Sequence, residues 1–237
     1  MSNPLVAALD AAVVAARKQA VPLNVRLRYV ADRVRELSTV YAEAVDAFVA
    51  RLESVDAGAG APHVGDEMPD FMLPDQDGRM VTLDGLLRDG PVVLVFHRGH
   101  WCPYCRVAIS GMAAIEDRVA PYALVAISPE RQQYTRMMKA DADAGFPFLS
   151  DVESGYALSI NLAIWVDDKM ARLIAGADLD VPQYQGTKGW IMPVPAVFVV
   201  GTDRRVIARH VDPDYRRRME PSDILGVLER LDDAQAA

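Results

Sequence analysis

The stretch 91–106, PVVLVFHRGHWCPYCR, constrains the fold of this chain more than any other. Residues 92–96, VVLVF, read as a buried strand, because a short β-branched apolar run suits a sheet covered on both faces. A polar turn follows at His97, Arg98, Gly99 and His100, and Trp101-Cys102-Pro103-Tyr104-Cys105 then opens a helical pattern. Proline is tolerated in the first helical turn, so Cys102 falls at a helix N-terminus and Cys105 faces the same side one turn on. These two are the only cysteines of the chain. Their spacing lets a disulfide close between them, and the helix-end dipole favours a thiolate on the first sulfur. The segment therefore reads as a redox site, whose chemistry requires no bound cofactor.

A chain of 237 residues with 51% hydrophobic content buries a full core. Its net charge of −8 excludes the broad basic surface that a nucleic-acid partner needs. The basic run Arg216-Arg217-Arg218 has acidic neighbours and reads as a solvated surface patch. The N-terminus lacks a basic leader region, and Asp10, Arg17 and Lys18 interrupt its apolar stretch. No apolar run reaches the roughly 18 residues of a membrane span, so a cytoplasmic chain with no membrane partner is expected. A CxxC pair there fits redox or metal chemistry better than a structural staple. His97 and His100 complete a possible zinc or copper set with the cysteines, although no second element supplies further ligands. The two histidines otherwise serve to tune the thiolate or merely end the strand. Arg98 and Arg106 either favour the thiolate by charge or face solvent.

Three segments follow from the pattern: a helical arm at 1–56, a linker at 57–62 and a domain at 63–237. In the arm, Leu5, Leu9, Val13 and Ala16 mark one helix, which Pro22 ends. Leu27, Val30, Val34, Leu37, Tyr41, Ala44 and Phe48 form the seam of a second, packed either on the chain's own body or on a second subunit in a homodimer. Gly58, Gly60 and Pro62 mark the linker. Within 69–83, alternating residues on either side of Asp75-Gln76-Asp77-Gly78 predict a β-hairpin. Ile109, Met112, Ile115 and Val119 continue the helix after the cysteines, and 123–127 is a second buried strand, so the two strands should be parallel. Ser128-Pro129-Glu130 reads as the start of another helix, with serine as its cap. An edge strand at 146–149, short helices at 151–160 and 167–175, an irregular excursion within 161–192, strands at 196–200 and 205–211, and a helix at 221–231 complete the order. The excursion has the length of a lid or binding loop.

This order is that of an α/β thioredoxin-like α/β/α sandwich with an N-terminal β-hairpin extension, here preceded by the helical arm. The stretches PDFMLPDQDGRMVTL, FHRGHWCPYCR, LVAISPE, FPFLSD, PVPAVFVV and HVDPDY resemble the peroxiredoxin-like group of the alkyl hydroperoxide reductase/thiol-specific antioxidant superfamily over about residues 64–232. That resemblance implies an antioxidant role, with Cys102 as the attacking cysteine and Cys105 as the resolving one. It also implies that Trp101, Pro103, Tyr104 and Pro195 meet the substrate, Pro195 as a cis-proline receiving an extended substrate backbone. Typical members carry threonine or serine three residues before the attacking cysteine and proline seven before it. Gly99 and Val95 stand there instead. The expected cycle is attack by Cys102 on a disulfide or a hydroperoxide, resolution by Cys105 and reduction by an external thiol. Disulfide exchange is expected ahead of peroxide reduction, because Gly99 supplies no hydroxyl to the peroxide. A non-enzymatic, redox-sensitive or metal-binding interaction module is the alternative of a different class.

Overall fold

The structure is a computed structural model that describes residues 4–236; residues 1–3 of the arm and Ala237 lie outside it. Three helices come first: α1 (Pro4–Arg17), α2 (Leu23–Leu37) and α3 (Thr39–Ser54). The hairpin β1 (Met72–Pro74) and β2 (Met80–Thr82) pairs antiparallel, as its turn residues predict, and the short α4 (Leu83–Leu86) leads from it toward the sheet. Then come β3 (Val92–Phe96), α5 (Pro103–Ala113), α6 (Glu116–Val119), β4 (Ala123–Ser128), α7 (Gln132–Ala142), β5 (Phe148–Ser150) and α8 (Gly155–Ser159). The excursion holds β6 (Ala163–Trp165), α9 (Asp168–Gly176), α10 (Val181–Gln185) and β7 (Ile191–Pro193). The chain closes with β8 (Ala196–Val200), β9 (Val206–Val211) and α11 (Pro221–Ala236).

The main sheet has five strands in the order β5-β4-β3-β8-β9. As the crossover length predicts, β3 and β4 are parallel, in register from Val92–Ala123 to Phe96–Ile127. β8 and β9 join antiparallel. Side chains alternate across the pleat, so one strand feeds two cores. Val93 and Val95 face the side covered by α5, whereas Val92, Leu94 and Phe96 face Phe71, Leu83 and Tyr156 on the other. Each such buried side chain contributes about 1.5–3 kcal/mol by leaving water. Sheet and two helical layers give the expected sandwich.

The arm belongs to this packing. Val13, Leu27, Val30 and Phe48 share one core with Val107, Ile109 and Met112 of α5, so the seam is buried against the chain's own body. It is not one helix, however. Ser38 is extended (φ −158°, ψ 101°), and its hydroxyl accepts from the Tyr41 amide at 3.2 Å, capping α3 and putting an elbow into the seam. Leu37, at the elbow, is left exposed. Glu220 anchors the start of α2 by accepting from the amides of Leu23 (2.7 Å) and Asn24 (2.9 Å). Arg209 donates to the carbonyls of Ala61 (2.8 Å) and Pro62 (3.1 Å), which ties residues 57–62 to β9.

Three further local expectations are corrected. β4 continues through Ser128, so α7 begins only at Gln132 with Arg131 at its cap position; Ser128 caps nothing, and Glu130 turns inward. The excursion is framed by a β6–β7 hairpin that no period in the sequence announces. The peptide before Pro195 is trans, the cis bond among the described residues being Ala120–Pro121. Trans is the ordinary state of an X–Pro bond, and only two residues separate the end of β7 at Pro193 from the start of β8 at Ala196. Among the described residues no helix is long and apolar enough to cross a membrane.

Candidate active site

The end of β3 and the start of α5 hold the chemistry. Cys102 occupies the N-cap of α5 with extended backbone, Pro103 follows in the first turn, and the Cys105 amide donates to Cys102 Sγ at 3.4 Å. Both thiols are free and buried. The Arg98 guanidinium, itself buried, donates from Nη2 to Cys102 Sγ at 3.0 Å. It lies 3.6 Å from the centre of the Tyr215 ring and 5.5 Å from that of Trp101, so aromatic faces sandwich the cation. A second buried guanidinium, Arg218, reaches Cys105 Sγ at 3.8 Å, and the Arg98 amide donates to the same sulfur at 3.5 Å.

These contacts divide the two sulfurs. Burial alone would raise the Cys102 thiol. The hydrogen bond from the Cys105 thiol, the charges of Arg98 and Arg218 and the Cys105 amide outweigh it and hold Cys102 down to about 5. Cys105 moves the other way: burial pushes it well up, and the neighbouring Cys102 thiolate adds to the rise. The pair is thus one thiolate and one retained thiol at neutral pH, the distribution a nucleophile and its resolving partner require.

Trp101, Pro103 and Tyr104 line a mostly apolar cavity of about 50 Å³ together with Arg98 and Tyr215. The arm supplies much of its wall through Val6, Leu9, Val34 and Tyr41, and α9 adds Met170 and Ile174. Pro195 lies elsewhere. It is buried behind Cys105, in a cavity of about 20 Å³ shared with His97 and Arg218. It is trans and covered, unlike the cis-proline that the resemblance implies.

The histidines do not form a metal set with the sulfurs. His97 is buried edge-on to Phe148, and burial pushes its imidazole down to about 4, which keeps it neutral. His100 turns the other way, toward Glu130, and stacks on Tyr134 with ring centres 4.9 Å apart. Among the described residues no group of three or more His, Cys, Asp or Glu is placed to hold a metal. Arg106 is not a thiolate partner either. It pairs with Asp10 of the arm and with Asp141 of α7, at 3.0 Å to the latter.

Sequence reasoning missed three groups. The run 216–218 is not uniformly solvated: Arg216 pairs with Asp214 (2.7 Å) and Asp46 (2.6 Å), Arg217 points out, and Arg218 is buried against Cys105. Tyr215, on a late turn, forms the face under Arg98. Glu130 is fully buried and accepts from the His100 amide at 2.8 Å. No local signal marks Arg218 or Tyr215. For Glu130, an acid straight after an apolar strand was a usable hint, but the serine and proline before it read as a helix cap.

A thioredoxin-like sheet that presents an acidified helix-capping cysteine, with a retained thiol one turn on, defines a thiol-based oxidoreductase. The comparisons agree. The sequence model of the AhpC/TSA family matches residues 64–209, and the chain belongs to that family. Two Mycobacterium tuberculosis sequences that bear a peroxiredoxin name, from strains CDC 1551 / Oshkosh and H37Rv, are each 28% identical over 150 residues, 60% of this chain and 81% of theirs. Among solved structures, peroxidoxin BcpB of Mycobacterium tuberculosis is similar at 24% identity and a TM-score of 0.56, over 71% of this chain and 97% of that one. Peroxiredoxin 6 of Arenicola marina gives 16% and 0.56, over 72% and 73% of the two chains. These two likenesses concern the fold.

Proposed function

We propose that the chain reduces small hydroperoxides, with Cys102 as the peroxidatic and Cys105 as the resolving cysteine. The observation that carries this reading is a buried thiolate held by Arg98, which also lines a small apolar cavity. A hydroperoxide fits such a space; a disulfide held in another protein would need the arm moved aside. The preference expected for disulfide exchange rested on Gly99, which supplies no hydroxyl to a peroxide; Arg98, donating to the sulfur at 3.0 Å, is the donor that serves in its place.

In the cycle, Cys102 Sγ attacks the distal oxygen of ROOH, the O–O bond breaks, and Cys102 sulfenic acid and RO⁻ form. RO⁻ takes up a proton and leaves as ROH. Arg98 offsets charge at the reacting oxygens in a low-dielectric setting, where a fixed cation acts strongly. Trp101, Pro103 and Tyr104 shape the space for R. Cys105 then displaces water from the sulfenic acid to close the Cys102–Cys105 disulfide, which two equivalents of an external thiol reduce. Functionally, residues 63–237 are the catalytic unit, 1–56 its cover and 57–62 the join. A reduced CxxC pair suits a cytoplasmic setting. A homodimer through the arm has to use its outer residues, such as Leu37 and Val40, which are exposed.

Stopped-flow oxidation of the reduced protein by hydrogen peroxide and by a small organic hydroperoxide tests this reading. Wild type should react orders of magnitude faster than a free thiol and yield the disulfide, whereas Cys105→Ser should stop at the sulfenic acid. Free-thiol-like rates with both oxidants, alongside ready turnover of insulin disulfides, would reverse the order of the two activities.

The pH dependence follows from the same contacts. Because the folded Cys102 is depressed to about 5, its thiolate, and with it the rate, should hold level from pH 8 to pH 6 and fall as pH drops through about 5. By linkage, the stability tied to this thiolate is fully present above the ordinary thiol value of about 8.5, declines below it, and is gone once pH falls below about 5. A rate that instead rises tenfold per pH unit between 6 and 8 would show an ordinary thiol.

A further inference from the structure

Glu130 stands just beyond the end of β4, fully buried, and nothing in the cycle above uses it. Its two carboxylate oxygens both meet one residue. Oε2 accepts from the His100 amide at 2.8 Å, and Oε1 meets His100 Nδ1 at 2.7 Å. The carboxylate also packs against Gly99. A β-carbon built there would lie 2.4 Å from Glu130 Cδ and 2.5 Å from Oε1, closer than real atoms approach. Gly99 moreover has φ +131°, a conformation that side chains rarely adopt. Gly99 and Glu130 are therefore a matched pair: the glycine leaves the space, and the carboxylate fills it. A threonine or serine at position 99 has no room in this arrangement.

The turn held in this way carries Arg98. His97, just before it, is fixed to β4 through its amide and the Ile127 carbonyl at 2.9 Å. Just after it, Gly99 and His100 are held by Glu130, and the Gly99 carbonyl accepts from the Cys102 amide at 3.3 Å. The Trp101 indole donates to the Arg98 carbonyl at 3.2 Å. The backbone of Arg98 is thus clamped on both sides, and the Glu130 clamp is the one that comes from β4's continuation rather than from the turn or α5. Resting on the reading of Arg98 as the thiolate's cation, we propose that Glu130 is a positioning residue of the active site, holding the 98–101 turn so that Arg98 meets Cys102 Sγ. A carboxylate suits the task because it accepts at both oxygens. An amide of the same size offers one oxygen instead of two, and aspartate is one methylene short.

The test compares wild type, Glu130→Gln and Arg98→Met as full-length reduced proteins, each checked for a cooperative thermal transition. Two quantities are read: the pH midpoint of Cys102 ionisation by thiolate absorbance, and the rate of oxidation by hydrogen peroxide near neutral pH. Glu130→Gln should raise the midpoint by about one unit. It should also slow oxidation about tenfold or more, since a displacement of about 1 Å is enough for losses of that order. A purely structural role would lower the melting temperature and leave both readings in place. A folded Glu130→Gln with midpoint and rate unchanged, beside an Arg98→Met that moves both, overturns the role of Glu130 alone. An Arg98→Met that moves neither overturns the reading beneath it. Where Glu130→Gln does not fold, His100→Ala removes the Nδ1 contact, and the ring contacts with Tyr134 and Tyr184 along with it, while the amide contact to Glu130 stays. It should shift both quantities in the same direction by less, and an unshifted His100→Ala overturns the proposal.

Discussion

Arg98→Met is expected to return Cys102 toward an ordinary thiol and to slow its oxidation by hydrogen peroxide about a hundredfold or more. The guanidinium contributes twice. Before reaction it stabilises the thiolate, to which Nη2 donates at 3.0 Å. During reaction it lies beside the sulfur as charge moves to the leaving oxygen, where loss of one preorganised donor commonly costs a factor of about 10²–10³. Methionine keeps much of the volume between Tyr215 and Trp101, so the sandwich loses its charge rather than its filling. Arg98→Lys keeps the charge but not the planar face over Tyr215, and should fall between the two. Thiolate absorbance against pH and stopped-flow oxidation check both effects. A wild-type rate in Arg98→Met would move the cation's role to Arg218, which also lowers Cys102 by its charge.

Removing residues 1–56 is expected to abolish cooperative folding rather than release a smaller working enzyme. The arm's Val13, Leu27, Val30 and Phe48 form one core with α5, so deletion bares the outer face of the helix that carries both cysteines. Loss of a single buried large side chain costs about 2–5 kcal/mol, and a domain's whole margin is about 5–15 kcal/mol. Removal of several exceeds it. The milder Phe48→Ala, which takes away a ring 6.4 Å from that of Tyr215, should cost about 3–5 kcal/mol in urea unfolding. It should also loosen Tyr215 under Arg98. A truncated chain that melts as sharply as the full one would make the arm an appendage.

Much of this was legible in residue order, for physical reasons. A short β-branched run, a helix-starting CPYC and a second apolar strand at crossover distance leave few topologies, and the parallel β3–β4 pair is the one they select. The placement of Cys102 at a helix start with Cys105 one turn on was equally plain, because Pro103 marks the first turn. The rest is tertiary. Arg98 looked as ready to face solvent as sulfur, since a turn arginine's direction depends on what lies above it, and Tyr215 lies far along the chain. Arg218 was hidden in a run of like charge, where composition suggests water and only packing tells inner from outer residues. The heptad seam was real, but periodicity cannot see an elbow set by the Ser38 hydroxyl.

The cavity beside Arg98 takes its chemistry and its shape from different parts of the chain. The sulfurs and Arg98 fall within the stretch matched by the family, while Val6, Leu9, Val34 and Tyr41 come from helices outside it. What the site does and what it admits are therefore written in separate segments. Substitutions at Val6 and Leu9 thus reshape the space around Arg98 from outside the stretch that holds the sulfurs.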